Sequence, residues 1–176
     1  MGVLSPAPDF RAWWERALDF DGFVDASPAH GELWRGLYAI ARPPAWALEI
    51  AAEAAPVRFL VLLEDWCGDA SNTVPMLAKF ANAAGIELRV LRRDEHPELM
   101  DRYLTNGTRS IPIVIVLDGE FREVSRWGPR PAELQAWVLS NRGTMPKSEL
   151  YPQVRRWYAR DRGESMLREL LTSLRS

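Results

Sequence analysis

The stretch "VRFLVLLEDWCGDASNTVPMLAKFANAAG", residues 57–85, decides the fold because it joins a buried strand to a helix through a cysteine. Its first seven residues are almost all apolar, which is typical of a strand that is covered on both faces. The part from Gly68 to Ala84 carries apolar residues at helical spacing, and Gly85 follows as a residue suited to end a helix. Cys67, the single cysteine of the chain, therefore lies at the start of a predicted helix.

The segments after this unit predict further strands and helices. "IELRVLR" and "IPIVIVLDG" have the pattern of strands, and the turn signal in the second one predicts a hairpin with "EFREVSRW". "DEHPELMDRYLTNG" predicts a helix with Asp94 as its cap and Gly107 as its stop, and "PAELQAWVLSN" predicts another. The order β-α-β-α-β-β-α predicts an α/β fold, in which a central mixed sheet carries helices on both faces.

The two ends of the chain are predicted to be helical extensions of this core. The segments "DFRAWWERALDF", "HGELWRGLYAIA" and "AWALEIAAEAA" have helical patterns, and the second carries Leu33, Trp34, Leu37 and Ile40 on one stripe. The tail predicts one or two more helices. The predicted division is an N-terminal extension over 1–55, a core over 56–141 and a C-terminal extension over 142–176, all within one compact domain.

Composition and charge narrow the classes of function. The net charge of −2 argues against nucleic acid or a membrane as a partner. No apolar run approaches the roughly 18 residues of a membrane span, and the start of the chain has no pattern of a secretory signal. We therefore expect a cytoplasmic protein. Two histidines and one cysteine that are far apart in the sequence predict no metal site.

Four landmarks at fixed spacing carry a resemblance to a known family. Pro75 lies eight residues after Cys67, Pro112 lies 45 residues after it, and Gly128 lies sixteen residues beyond Pro112. This pattern, with "WCG" at a strand-to-helix junction and Ile111 before the second proline, resembles thioredoxin. The sequence pattern "EDWCGDA…NGTRSIP…WGPRP" is similar to that of a bacterial branch of thioredoxin-like proteins with a single-cysteine WCGDA motif.

The resemblance implies a cis Ile111-Pro112 peptide bond next to the sulfur of Cys67. The backbone of Ile111 would then be able to pair with an extended peptide or with a glutathione-like tripeptide. No cofactor is expected, and a glutathione-like low-molecular-weight thiol is the candidate co-substrate. Trp66, Trp127 and Pro129 are expected to be apolar walls of this groove. The implied groove residues are Trp66, Gly68, Asp69, Ile111, Pro112, Trp127, Gly128 and Pro129.

Several charged residues have two interpretations. Arg109 and Arg130 either contact the carboxylate of a peptide or thiol, or are solvated surface arginines. His30 and His96 are predicted to be surface or capping residues. The arginines of the tail are predicted to form a solvated helix face, with a protein or RNA contact as the alternative: Arg155, Arg156, Arg160 and Arg162.

Two positions depart from the thioredoxin pattern. Ala70 stands where a second cysteine would resolve a mixed disulfide, so a dithiol cycle within this chain is excluded. Val61 stands where the family carries a buried aspartate that assists proton transfer. The start of a helix should lower the pKa of Cys67 below about 8.5, while Asp69 opposes this unless its side chain caps the helix and faces solvent.

The leading hypothesis is a monothiol disulfide oxidoreductase. Cys67 would form a mixed disulfide with a protein or small disulfide substrate, and an external thiol would resolve it. A variant of this hypothesis is an iron–sulfur cluster held by Cys67 and a bound thiol. The alternative is a non-catalytic binding module, in which the groove around Ile111-Pro112, together with the helices at both ends, would hold a protein partner. A lone cysteine such as Cys67 is also compatible with a small buried side chain. A third interpretation is a homodimer that is joined through tryptophan-rich terminal helices.

Overall fold

A computed structural model of the chain describes residues 8–175. The strands are β1 Leu18–Asp19, β2 Arg58–Leu63, β3 Glu87–Arg92, β4 Ile113–Leu117 and β5 Glu123–Trp127. The helices are α1 Phe10–Arg16, α2 Phe20–Asp25, α3 Gly31–Ile40, α4 Ala45–Glu53, α5 Gly68–Ala84, α6 Pro97–Met100, α7 Ala132–Asn141, α8 Lys147–Asp161 and α9 Glu164–Thr172.

The five strands form one mixed sheet in the order β1-β3-β2-β4-β5. Strands β2 and β3 are parallel, and β4 is antiparallel both to β2 and to its hairpin partner β5. Helices α2, α3, α4, α5 and α9 contribute to the core on one face of the sheet, while α1 and α6 cover the other face. The structure thus confirms the predicted α/β fold with helices on both faces.

Helix α5 has the bounds that the sequence predicts. Cys67 is its N-cap residue, and Gly85 follows it in the left-handed region at φ 71°, which a glycine adopts without a steric penalty. Pro75 lies inside the helix, and Ala70 is completely buried in the core beneath it. A larger side chain at position 70 would therefore have to displace core atoms.

The predicted helix over 9–20 is wrong beyond Arg16. Leu18 and Asp19 are extended and pair with β3, so the N-terminal segment supplies an edge strand of the sheet. Asp19 also accepts a hydrogen bond of 2.7 Å from the backbone N–H of Gly22 and so caps α2. A strand pairing and a helix cap together outweigh continuation of α1, whose periodicity alone gave no sign of either.

The predicted helix over 94–107 is also too long. Only the four residues of α6 are α-helical, with a short 3-10 turn before them, and His96 rather than Asp94 is the N-cap residue. Asn106 and Gly107 have positive φ angles of 50° and 77°, and they form a tight turn that pairs Thr105 with Thr108. The Asn-Gly pair therefore makes a turn instead of a helix stop.

The tail forms two helices that have different roles. Helix α8 packs on α7 in a small separate core that includes Leu134, Val138 and Val154. Helix α9 returns to the sheet beside β5, where Leu170 is buried and Glu169 accepts a hydrogen bond of 2.6 Å from the indole N–H of Trp127. The C-terminal extension is thus part of the main core through α9.

We predict that Gly128→Ala destabilises the protein. Gly128 has a φ angle of 127°, and a Cβ atom at this position would lie 2.1 Å from the carbonyl oxygen of Pro112. Strain and overpacking should together cost about 3 kcal/mol of unfolding free energy, which urea unfolding would measure. Gly36→Ala is the matched control, because its Cβ meets no atom within 4 Å and helix α3 should gain stability. Equal stability of the two variants would contradict the prediction.

Candidate thiol site

The thiol of Cys67 lies where three chain segments meet. The residue follows β2 and precedes the first turn of α5, and its side chain is half-buried. The Sγ atom is 3.6 Å from the carbonyl oxygen of Ile111, to which the S–H can donate. The Ile111-Pro112 peptide bond is cis, as is the Gly128-Pro129 bond at the end of β5. The carbonyl before Pro112 thus faces the sulfur.

A cavity of about 700 Å³ opens in front of this thiol. Its floor includes Cys67, Gly68 and Asn72. One wall comes from α3 and the residue before it, and the opposite wall comes from α8. The wall residues are His30, Leu33, Leu37, Tyr151, Val154 and Arg155. Both terminal extensions therefore border the site.

The surroundings of Cys67 raise the pKa of its thiol. Burial is the largest cause, and the negative charge of Asp69 acts in the same direction. Hydrogen bonds from the backbone N–H groups of Ala70 and Asp69, together with the charge of Arg130, lower the pKa but do not compensate. The expected lowering by the helix start is therefore wrong, because desolvation outweighs the favourable N–H groups.

Asp69 is held in a network instead of facing solvent. Arg130 binds it in a bidentate manner, with distances of 2.9 Å from Nε to Oδ1 and 2.8 Å from Nη2 to Oδ2. The hydroxyl of Tyr158 donates a hydrogen bond of 2.7 Å to Oδ1. Burial, and then the charge and hydrogen bond of Asp69, raise the pKa of Tyr158, so its proton stays on the phenol. Sequence reasoning missed Tyr158, which lies 89 residues from Asp69.

A second network neutralises the acidic residues before Cys67. Arg92 donates to Asp65 at 2.6 Å and to Glu64 at 3.3 Å. His30 Nδ1 lies 2.6 Å from the other carboxylate oxygen of Asp65. Burial disfavours ionisation of Asp65, but hydrogen bonds from Arg92 and His30 prevail and lower its pKa. These carboxylates are paired on the side of β3, so they have little effect on the pKa of the Cys67 thiol.

The predicted groove residues fall into two groups. The residues that line the cavity at Cys67 are Trp66, Gly68, Asp69, Ile111 and Pro129. The ring of Trp66 is 55% exposed, and the guanidinium of Arg93 lies 5.1 Å from its centroid. Trp127 and Gly128 line another cavity of about 630 Å³, between β5 and α7, which adjoins the cavity at Cys67 through Arg130. Neither Trp127 nor Pro112 lines the cavity at Cys67, and Pro112 is buried.

The two arginines that the sequence offers as anion contacts already have carboxylate partners. Arg109 binds Asp101 through two bonds of 2.7 and 3.0 Å at the surface. Arg130 binds Asp69, and its third nitrogen donates to Gln135 at 2.9 Å. Within residues 8–175, no group of three or more His, Cys, Asp or Glu side chains is placed to hold a metal ion. Within the same range, no helix is long and apolar enough to cross a membrane.

The mixed sheet, with a cysteine between its central strand and the following helix, defines a thioredoxin-like protein. The chain belongs to the thioredoxin family Thioredoxin_9, whose model matches residues 18–149. This match includes β1 and the helices α2 to α4, in addition to the predicted core.

Two solved structures share this fold over almost the whole chain. One is a Pseudomonas aeruginosa protein of unknown function, with 22% sequence identity and a TM-score of 0.69. The other is an HIV epitope-scaffold, with 19% identity and a TM-score of 0.70. In each case the match covers 96% of this chain and 98% of the other. No curated protein matches the chain.

We predict that stability decreases above about pH 8.5 because of Cys67. The unfolded thiol loses its proton at about pH 8.5, whereas the folded thiol keeps it to higher pH, so the folded state binds more protons in this range. The unfolding free energy should therefore fall by up to about 1.4 kcal/mol per pH unit until the folded thiol also ionises. Denaturant unfolding of wild type and Cys67→Ser between about pH 8.5 and 9.5, below the range in which unfolded tyrosines ionise, would show this slope only in the wild type.

We predict that Asp69→Asn makes the thiol more reactive. The substitution removes the negative charge that raises the pKa of Cys67, while the amide oxygen still accepts from Arg130 and Tyr158. For each unit by which the pKa falls, alkylation at pH 7 should accelerate about threefold, because the larger thiolate fraction is partly offset by lower nucleophilicity. The rate of alkylation by iodoacetamide, compared between wild type and Asp69→Asn, would measure this acceleration.

The control for this prediction is Glu87→Gln. Glu87 also pairs with an arginine, Arg58, at 3.4 Å, but it lies at the start of β3, at the opposite end of the sheet from the thiol. Its substitution should leave the alkylation rate of Cys67 unchanged. A rate that does not respond to Asp69→Asn, or that responds equally to both variants, would contradict the electrostatic role of Asp69.

Proposed function

We propose that the protein carries out thiol–disulfide exchange with Cys67 as its single redox thiol. The observation that supports this function is the position of Sγ, which faces a cavity of about 700 Å³ beside the carbonyl of Ile111. A structural cysteine would be packed on all sides, whereas this one is half-buried at the base of an open cleft. A substrate sulfur can approach it from the cleft.

The exchange has two steps and needs no second cysteine in the chain. In the first, the thiolate of Cys67 attacks one sulfur of a substrate disulfide, an S–S bond to Cys67 forms, and the other substrate sulfur leaves as a thiolate. In the second, the thiolate of an external low-molecular-weight thiol, such as glutathione, attacks the substrate sulfur of this mixed disulfide. Cys67 then leaves as a thiolate, and a new disulfide bond joins the external thiol to the substrate sulfur.

The raised pKa of Cys67 makes both steps slow at neutral pH. Only a small fraction of the thiol is ionised for attack, and a thiolate of high pKa is a poor leaving group in the second step. Val61, completely buried and apolar, offers no acceptor for the proton. The mixed disulfide is therefore long-lived, and the protein acts as a capture site for a disulfide more than as a rapid catalyst.

The test is formation and release of a mixed disulfide. Wild-type protein incubated with glutathione disulfide at pH 8.5 should gain one glutathione by intact mass spectrometry, and excess reduced thiol should remove it slowly. The control, Cys67→Ser, should gain nothing. A thiol that forms no adduct, even at a pH where alkylation proceeds, would refute the exchange function.

A second candidate function is a binding module without redox turnover. The specific observation in its favour is the raised pKa of Cys67, together with completely buried apolar residues at positions 61 and 70. In that case Cys67→Ser should replace the wild-type protein in its source organism without a phenotype, whereas Leu37→Asp, which alters the wall of the cleft, should cause one. Loss of function in Cys67→Ser would exclude this candidate.

A further inference from the structure

The cavity at Cys67 continues into a second cavity along α5. The second cavity, of about 590 Å³, lies between the end of α3 and the end of α8. The two share Leu37, Ser71 and Asn72 in their linings, so they adjoin along one cleft. We call this cleft the α3–α8 groove; it runs from Cys67 at one end to Arg162 at the other.

The wall formed by α3 is apolar and exposed. Leu33, Leu37 and Ile40 follow one another at helical spacing along it, and the first and last are 52% and 71% exposed. The sequence predicts these residues, together with Trp34, as one apolar stripe of a helix. In the structure Trp34 alone of that stripe is completely buried, and the other three face the groove. This leaves a line of apolar side chains beside the thiol.

The wall formed by α8 is positively charged. Arg155 and Arg162 lie two turns apart on this wall, and Arg42 lies across from the second of them. Within residues 8–175 none of these three guanidinium groups forms an ion pair with a carboxylate; Arg42 donates only to backbone carbonyls. The one carboxylate of this second cavity, Glu164, pairs with Arg168 at 3.3 Å. The groove therefore favours negative charge.

The length of the groove favours a polypeptide over a small thiol. From Tyr151 to Arg162 the helix rises about 16 Å at 1.5 Å per residue. An extended chain covers this distance with about five residues at roughly 3.3 Å each, whereas a tripeptide covers only about 10 Å. Successive side chains of an extended chain point in opposite directions, so one set would face the apolar α3 wall and the other the basic α8 wall.

We propose that the α3–α8 groove binds an extended acidic segment of a protein substrate, in which acidic and apolar residues alternate. This proposal rests on the exchange function of Cys67, because the role of the bound segment would be to bring a substrate disulfide to the thiol. Specificity then resides in the two terminal extensions of the chain, which together supply both walls. The part of the groove beyond Cys67 lies along α5, away from Gly128 and Trp127.

The experiment measures binding without the thiol. A fluorescein-labelled hexapeptide of alternating leucine and glutamate is titrated with the full-length Cys67→Ser protein, and the Kd is obtained from fluorescence polarisation. We expect binding that weakens as salt is added, and a Kd at least about tenfold weaker for the same peptide with lysine in place of glutamate. Because no cysteine takes part, failure of the exchange chemistry does not affect this result.

Matched variants on one helix locate the site. Arg155→Gln/Arg162→Gln removes two charges of the groove and should weaken the Kd about tenfold. Arg156→Gln/Arg160→Gln removes two exposed charges of the same helix that do not line the groove, and should change the Kd by less than about twofold. Equal weakening by both pairs, or equal binding of the lysine peptide, would overturn the proposal. The proposal would also be overturned if glutathione displaced the peptide with an affinity equal to that of the peptide itself, because a tripeptide cannot span the groove.

Discussion

The bidentate ion pair between Asp69 and Arg130 is the interaction on which the rest of the site depends. It joins the first turn of α5 to the loop after β5, and the hydroxyl of Tyr158 ties α8 to the same carboxylate. Three donors on one half-buried carboxylate hold its negative charge in place. The C-terminal extension is thereby fixed beside Cys67, where it forms one wall of the cleft.

The same carboxylate limits the chemistry of the sulfur. A helix start usually favours a thiolate, but here burial and the adjacent negative charge prevail, so the proton stays on Cys67 at neutral pH. Ala70 and Val61 belong to the buried core, and neither offers a sulfur or a proton acceptor. The thioredoxin-like fold is therefore retained with a single thiol, whose pKa is raised and which lies in an open cleft.

The terminal extensions supply parts of the sheet, of the core and of the thiol site. Residues Leu18 and Asp19 extend the sheet, α9 completes the core beside β5, and α3 and α8 border the thiol from both sides. The family match over residues 18–149 agrees with this, since it includes segments on both sides of the central sheet unit. The extensions therefore shape the cleft in front of Cys67.

The sequence by itself determined the strand–cysteine–helix unit, the hairpin and the positions of Pro75 and Pro112, because these follow from local periodicity, turn residues and spacing. It failed at Leu18–Asp19 and after Met100, where strand pairing and a tight turn replace helix. Only the tertiary structure decided the protonation of Cys67 and the walls of its cleft. Arg130 and Tyr158 reach Asp69 from 61 and 89 residues away, and desolvation depends on what packs around a residue, which no local pattern records.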